Sequence, residues 1–462
     1  MNIAPSLLVP DAARPALAAP AALPESDVSA AVGFVGALGL LAWILFCRNF
    51  AEISQFLDLP GPRARLDGPH AAVAALLFSA GPMIAWSLIA DKVHRRRSTG
   101  IDWHQPRAVA SIARVSIVKL TGLWATWAMI GGLYCLARWY WQGQYLFAME
   151  VIGAAAIPLL LLSAPYVLWL DRVLVEPRDH AWHFGAMLTG REGWDAEEVK
   201  RHWRAWIIKG FFGAFMISIL PAGFAEVVNA DFSGIVADPA RLAIFLIALM
   251  FVADVQIGTV GYLVTFRPLD AQIRSGNPLL AGWLAALICY PPFVFGFMGG
   301  GGILAYEVNT PGWTHWFAGH TSLMWLWGGV LVFLTAVYAW ATLAFGLRFS
   351  NLTYRGVLTN GPYRFTRHPA YVSKNLFWWL SVLPFLVSSG SVVDMIRNTF
   401  FLGCVSAIYY WRAKTEEAHL LAEDAKYRRY HAWMEQHGLL TRPLAAFSRH
   451  LRPRGIAVQP AE

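Results

Sequence analysis

Charge is what this chain has least of. Only 14% of its 462 residues are Asp, Glu, Lys or Arg, where a soluble domain carries about 25%. That shortage excludes an ordinary water-soluble globule of this size. Hydrophobic residues make up 57% of the chain, with 22 Trp and 28 Phe, so most of the surface is expected to face lipid. Cysteine is scarce too: Cys47, Cys135, Cys289 and Cys404 stand far apart, in or beside apolar runs. Without a Cys-x-x-Cys pair, neither a disulfide framework nor a thiolate zinc site is expected. The four read as small buried apolar residues. The first 28 residues lack an apolar run. Pro5, Pro10, Pro15, Pro20 and Pro24 forbid a stable helix there. Arg14 is the only basic residue of the segment, so it does not have the basic start of a secretory signal. It reads as a flexible tail.

What is present in quantity is bilayer-length apolar sequence. Such runs fall near 30–47, 71–90, 115–137, 147–170, 207–228, 242–266, 278–305 and 321–347. Two shorter ones follow near 375–388 and 396–411. The fold class is therefore all-α, a polytopic integral membrane protein of about ten transmembrane helices. Pro291-Pro292 is expected to break the seventh run, which membrane helices tolerate where neighbours satisfy the backbone. Lys and Arg concentrate in alternate loops, for example Lys92, Arg95, Arg96 and Arg97 after run two and Lys200, Arg201 and Arg204 before run five. The positive-inside rule then places both termini in the cytoplasm and requires an even helix number. In a bacterium this is the inner membrane. The formal charge of +8 follows from that topology and from anionic headgroups, and does not call for nucleic acid.

Polar residues inside the runs are costly in lipid. Lys119 and Glu150 lie near run ends and read as snorkelling side chains. Glu226 also lies near an end, and Asp254 is mid-run and marks a candidate pathway. His180, His183 and His202 share one loop. They read as solvated interfacial histidines, and no metal site is expected.

One stretch breaks the apolar character: Asn360 to Asn375, NGPYRFTRHPAYVSKN. Gly361-Pro362 reads as a turn. Pro369 biases His368 away from helical geometry and can itself open a helix. His368 thus stands at a helix N-terminus, whose free N–H groups and positive dipole end suit an anionic group. Tyr363 and Tyr371 flank it. A second polar cluster follows, YYWRAKTEEAHLLAEDAKYRRY. Its Arg412 and Glu416 are four apart and share a helical face. A hairpin of the two short runs returns the chain to the same membrane surface, so the clusters can meet. A His, two Tyr, an Arg and a Glu pair would then stand where cytosol meets lipid, an arrangement for joining a polar cytosolic cofactor to a membrane-embedded substrate.

GPYRFTRHPAY, followed by RAKTEE and then YRRY, resembles the isoprenylcysteine carboxyl methyltransferases and the related phospholipid methyltransferases over the last 110 or so residues. The resemblance implies a site for S-adenosylmethionine (SAM) built from the last helices. It implies that Tyr363, His368, Pro369, Ala370 and Tyr371 line the cofactor pocket and that Glu416 holds the cofactor from the other side. Arg412 would face the acceptor, a lipid-like or prenylated molecule carrying a carboxyl or an amine, and is the catalytic candidate. Arg367 and Glu417 are additional candidates for the cofactor. Ser373, Lys374 and Asn375 depart from the glycine usual after the motif tyrosine. Glu423-Asp424 stands where Phe-Gly is usual.

The chain then divides into the tail at 1–28, a membrane domain of about eight helices at 29–347, a methyltransferase-like core at 348–435 and a basic tail at 436–462. An NADPH-dependent membrane reductase of the sterol reductase type is the alternative enzyme. A transporter or scaffold is the non-enzymatic one. Neither the acceptor nor the oligomeric state is legible.

Overall fold

The structure, a computed structural model, describes residues 22–61 and 63–443. It is an all-α multi-pass membrane protein. Among the described residues, eight helices are long and apolar enough to cross a bilayer. Six come in succession: α1 (Ala31–Arg48), α2 (Pro69–Ile89), α3 (Val109–Leu136), α4 (Tyr145–Val173), α5 (Ala196–Asn229) and α6 (Pro239–Leu263). The seventh run does not form one. It is split into α7 (Leu280–Leu287) and α8 (Phe293–Phe297) by the Pro291-Pro292 pair, because proline offers no N–H and its ring displaces the preceding turn. The chain continues with α9 (Thr321–Phe345), α10 (Pro369–Val382), α11 (Val392–Glu423) and the amphipathic α12 (Ala425–His437). α10 has 14 residues, short of the ~20 that cross a bilayer as a straight helix.

Both irregular segments still traverse the molecule, and α11 serves as the ruler. Near its C-terminal end, His419 bonds Ser275 Oγ at 2.9 Å. Near its N-terminal end, Asp394 accepts a 2.8 Å bond from Asn309. At about 1.5 Å per residue these ends are nearly 40 Å apart, so residues 275–309 run the length of the bundle. α10 and the turn after it do the same in reverse. The motif stretch begins at the His419 end, and Ser388 reaches Asn309 at the Asp394 end, its N–H bonding the Asn309 carbonyl at 2.9 Å. At the His419 end a two-residue antiparallel pairing joins β1 (Ser275–Gly276) to β2 (Thr353–Tyr354).

Small residues let the helices approach. A side chain on Gly33 of α1 would lie 1.9 Å from the Leu343 carbonyl oxygen of α9, a contact that only glycine permits. Around it Val32, Leu40, Met83, Phe224, Ile257 and Leu347 form the largest buried apolar cluster.

Residues 22–28 are not a loose tail. Asp27 and Val357 exchange bonds, with Asp27 N–H on the Val357 carbonyl at 2.9 Å and Val357 N–H on Asp27 Oδ2 at 2.7 Å. Lys426 Nζ holds Asp27 Oδ1 at 2.6 Å, and Arg96 Nη1 holds the Asp27 carbonyl at 2.6 Å. This strap ties the start of α1 to α12, since its polar groups find partners in the later loops. The rest of the expected tail, residues 1–21, and most of the basic tail, residues 444–462, lie outside the described residues.

Three polar residues sit differently from their sequence reading. Lys119 does not snorkel. It is buried and contacts Asp171 at 2.5 Å and Asp179 at 3.0 Å, since a buried ammonium must be paired. His202 is not solvated: it is buried, 2.7 Å from Thr126 Oγ1, and stacked on Phe184. Asp254 is buried in α6 and accepts a bond from Thr342 of α9. It therefore pins α6 to α9.

Candidate active site

The motif stretch folds as its residue types require. Gly361 takes a left-handed φ of 54°, and a Cβ there would press on Trp340 Nε1 at 3.0 Å. Gly361–Arg364 form a 3-10 turn. His368 is the N-cap of α10, with Pro369 in its first turn. Ser373, where the resemblance would place glycine two positions after Tyr371, bonds the Pro369 carbonyl at 2.8 Å.

α11 returns to the same end and brings its cluster against this turn. Tyr371 Oη donates to Glu416 Oε1 at 2.5 Å. Arg412 Nε approaches the same oxygen at 3.4 Å, and its Nη2 donates to Asn351 Oδ1 at 2.6 Å. One residue along, and so about 100° around the helix, Glu417 faces a different set. Its Oε1 meets Arg367 Nε at 2.8 Å and His368 Nε2 at 2.9 Å; its Oε2 meets Lys414 Nζ at 2.8 Å. Adjacent glutamates thus have separate duties. Glu416 binds the tyrosine and the arginine, while Glu417 is buried and fixes the Arg367-His368 pair.

These groups surround a cavity of about 1310 Å³, counting its open mouth. Tyr363, Arg367, His368, Ala370, Tyr371, Arg412 and Glu416 all line it. Pro369 and Glu417 do not: Pro369 is buried in the first turn of α10, and Glu417 sits behind the wall. The lining also reaches outside residues 348–435, taking in Val28 of the strap, Tyr290 from the broken run and Tyr338 and Thr342 of α9. Burial, above all, holds the Tyr363 and Tyr427 phenols well above the ordinary tyrosine range, so both stay neutral hydrogen-bonding groups.

The cavity has two chemically distinct sides. Beside Arg367 lie Tyr363, Tyr427 and Tyr430, and Tyr430 Oη donates to the Tyr363 carbonyl at 2.7 Å. Arg367 Nη1 is buried there without a hydrogen-bond partner; Glu435 is 3.8 Å from it. On the other side, Arg412 lies 5.2 Å from the Tyr371 ring centre and 5.4 Å from that of Tyr290. Lys374 Nζ stands 5.6, 5.0 and 5.5 Å from the ring centres of Tyr338, Trp378 and Tyr409. Sequence reasoning missed Tyr290, Tyr338 and Asn351, which carry no local signal. It noted Lys374 only as a departure from the glycine usual after the motif tyrosine, because helix azimuth is not readable from a single basic residue. Among the described residues, no group of three or more His, Cys, Asp and Glu is placed to hold a metal ion.

The fold and the site together define a multi-pass helical membrane protein with a polar, aromatic-lined cavity at one end of its bundle. No family model, no curated protein and no solved structure matches the chain.

Proposed function

We propose that the protein is a SAM-dependent methyltransferase acting on a lipid-like or prenylated acceptor. The observation that carries this reading is the closure of residues 363–371 onto residues 412–417 around one shared cavity. Two polar clusters some 45 residues apart in sequence meet through the hairpin of α10 and α11. A basic stretch that merely anchored two helices at the membrane surface would give no reason for the clusters to interlock.

The residues present fit the cofactor. The unsatisfied donor of Arg367 suits its carboxylate, and Tyr363, Tyr427 and Tyr430 offer rings to a flat base and a cationic sulfur. His368 and Tyr371 stand at the N-terminus of α10, where backbone N–H groups are free for polar contacts. Ala370 keeps that wall low. Glu416 closes the site from α11. Bound there, the cofactor supplies an electrophilic methyl group, and its displacement calls for alignment more than for acid–base help. The chain's part is therefore positional. Glu417 locks Arg367 and His368, Pro369 sets the start of α10, and Arg412 uses Nε and Nη2 to hold Glu416 and Asn351. Its Nη1 is left for the acceptor.

On this reading the site faces the cytoplasm, where SAM is made available, and the positive-inside rule puts both termini on the same side. A nicotinamide dinucleotide phosphate is the second reading. Arg348, Arg355, Arg367, Lys374 and Arg412 all line the cavity, and such a cation count suits phosphates. Yet Arg348 is spent on Asp270 at 2.6 Å. Arg355 is spent on backbone carbonyls, including those of Gly261 at 2.8 Å and Leu347 at 2.8 Å. Calorimetric titration of the detergent-purified protein with SAM and, separately, NADPH decides between them. Saturable SAM binding without NADPH binding is expected. NADPH binding alone would overturn the methyltransferase reading.

A further inference from the structure

We infer that the groove between α5 and α6 is a binding site for a membrane-soluble long-chain alcohol, whose hydroxyl donates to Gln256. The inference goes beyond the proposed function and does not rest on it, because none of the groove's lining residues lines the candidate active site.

The groove has a volume of about 690 Å³, counting its open side, a usual size for a small-molecule site. α5 contributes Leu220, Gly223 and Glu226, and α6 contributes Ala248, Val252 and Gln256. The helices touch where a Cβ on Gly223 would lie 3.2 Å from Val252. Gln256 is one turn beyond that contact along α6 and is 1% exposed. Its Nε2 donates to the Ala72 carbonyl of α2 at 3.1 Å. That bond fixes the orientation of the amide, since a carbonyl can pair only with the nitrogen. Oε1 is then left buried without a hydrogen-bond partner, and an unpaired buried acceptor is costly.

The walls decide what can satisfy it. Apart from Gln256 and Glu226, the lining is apolar. A water would find Oε1 and little else, where a buried water needs about two to four polar partners. Among the described residues, no basic side chain lines the groove, so a carboxylate or phosphate head would meet acceptors only. An ammonium fits no better at this depth. Successive spans run antiparallel, so Glu226 lies to one side of the Gly223-Val252 contact and Gln256 to the other, about 10 Å apart along the axes. Glu226 is exposed at the rim, within reach of polar headgroups. An ammonium at Gln256 would be buried away from it, and a buried charge must be paired. A neutral donor on an apolar body meets every condition. A hydroxyl supplies the bond that Oε1 lacks, and its chain follows the groove toward Ile244, about 18 Å away along α6.

Scintillation proximity with tritiated dodecanol tests this on the purified protein in nanodiscs of phosphatidylcholine, a lipid without N–H or O–H donors. Unlabelled dodecanol is expected to displace the label about tenfold more effectively than dodecyl methyl ether, which keeps the chain and loses the donor. Dodecanoate and dodecylamine should be as weak as the ether. Gln256→Leu should erase the difference between alcohol and ether. Ala248→Leu, which narrows the groove about 12 Å from Gln256 along α6, should weaken both. Equal displacement by alcohol and ether in the parent overturns the inference whether or not either variant folds, because the groove would then hold only a chain. So does a preference for the alcohol that survives in Gln256→Leu. Stronger displacement by dodecylamine, lost in Glu226→Gln, also overturns it and makes the rim carboxylate the receptor.

Discussion

Replacing Glu417 with Gln tests whether the two polar clusters are as tightly joined as the distances say. The side chain is 5% exposed and its Oε1 serves two donors, Arg367 Nε at 2.8 Å and His368 Nε2 at 2.9 Å. The amide keeps the shape but removes the charge and turns half of the acceptor surface into a donor. Hydrogen bonds to a charged group are worth about 1.5–3 kcal/mol each. Removing one partner of a buried ion pair costs about 3–5 kcal/mol, because the other charge stays buried. We therefore expect Glu417→Gln to lower stability by about 3–5 kcal/mol. Lys414 touches the same carboxylate at 2.8 Å but is 43% exposed, so Lys414→Gln should cost at most about 1 kcal/mol. The contrast is internal: the same carboxylate meets Arg367, 9% exposed, and Lys414, 43% exposed. Sodium dodecyl sulfate titration of helical circular dichroism in mixed micelles measures both. If the two variants differ by less than about 1 kcal/mol, the Arg367-Glu417 pair is not a buried clasp. SAM affinity should fall with Glu417→Gln even where the fold survives, since His368 and Arg367 lose their common anchor.

Arg412→Lys keeps the charge but cannot span Glu416 and Asn351 at once; turnover should drop at least tenfold with SAM affinity nearly intact, and matching losses in both would place Arg412 on the cofactor side. Reporter fusions after residues 100, 190 and 360 should all read cytoplasmic and one after residue 310 should read the opposite side; a reversed signal at 360 would put the cavity out of reach of SAM. Burial works to raise the Asp27 carboxyl, but Lys426 and the Val357 N–H outweigh it and hold it below the ordinary aspartate range. Its folded pKa lies under its unfolded one, so the strap is stabilised at neutral pH and released as pH falls through that lowered value, below about 4. Hydrogen exchange at the Val357 amide should accelerate in that window and, in Asp27→Asn, already at neutral pH; unchanged exchange in the variant would mean that the strap is held by something else.

Much of the architecture is legible in the linear pattern, because bilayer thickness fixes helix length and backbone groups in lipid must bond within their own helix. Seven of the eight long apolar runs, and the shorter run near 396–411, became the eight long helices, and Pro291-Pro292 marked the place where the seventh run could not continue. Both polar clusters were visible as local interruptions of apolar sequence, and Pro369 marked the start of α10 through its fixed φ and missing N–H. What the sequence could not supply is azimuth and distant company. Whether Glu416 or Glu417 faces a cavity depends on a rotation of about 100° per residue, which packing against α10 decides. Lys119 and His202 looked like surface groups until the fold set Asp171 and Thr126 beside them. Residues 22–28 looked loose until Val357 and Lys426, more than 300 positions away, gave Asp27 its partners. Lys374 was one more basic residue in a basic stretch. Only the meeting of α9, α10 and α11 enclosed it among the rings of Tyr338, Trp378 and Tyr409, because the company a side chain keeps is set by neighbours in space and not by neighbours in the chain.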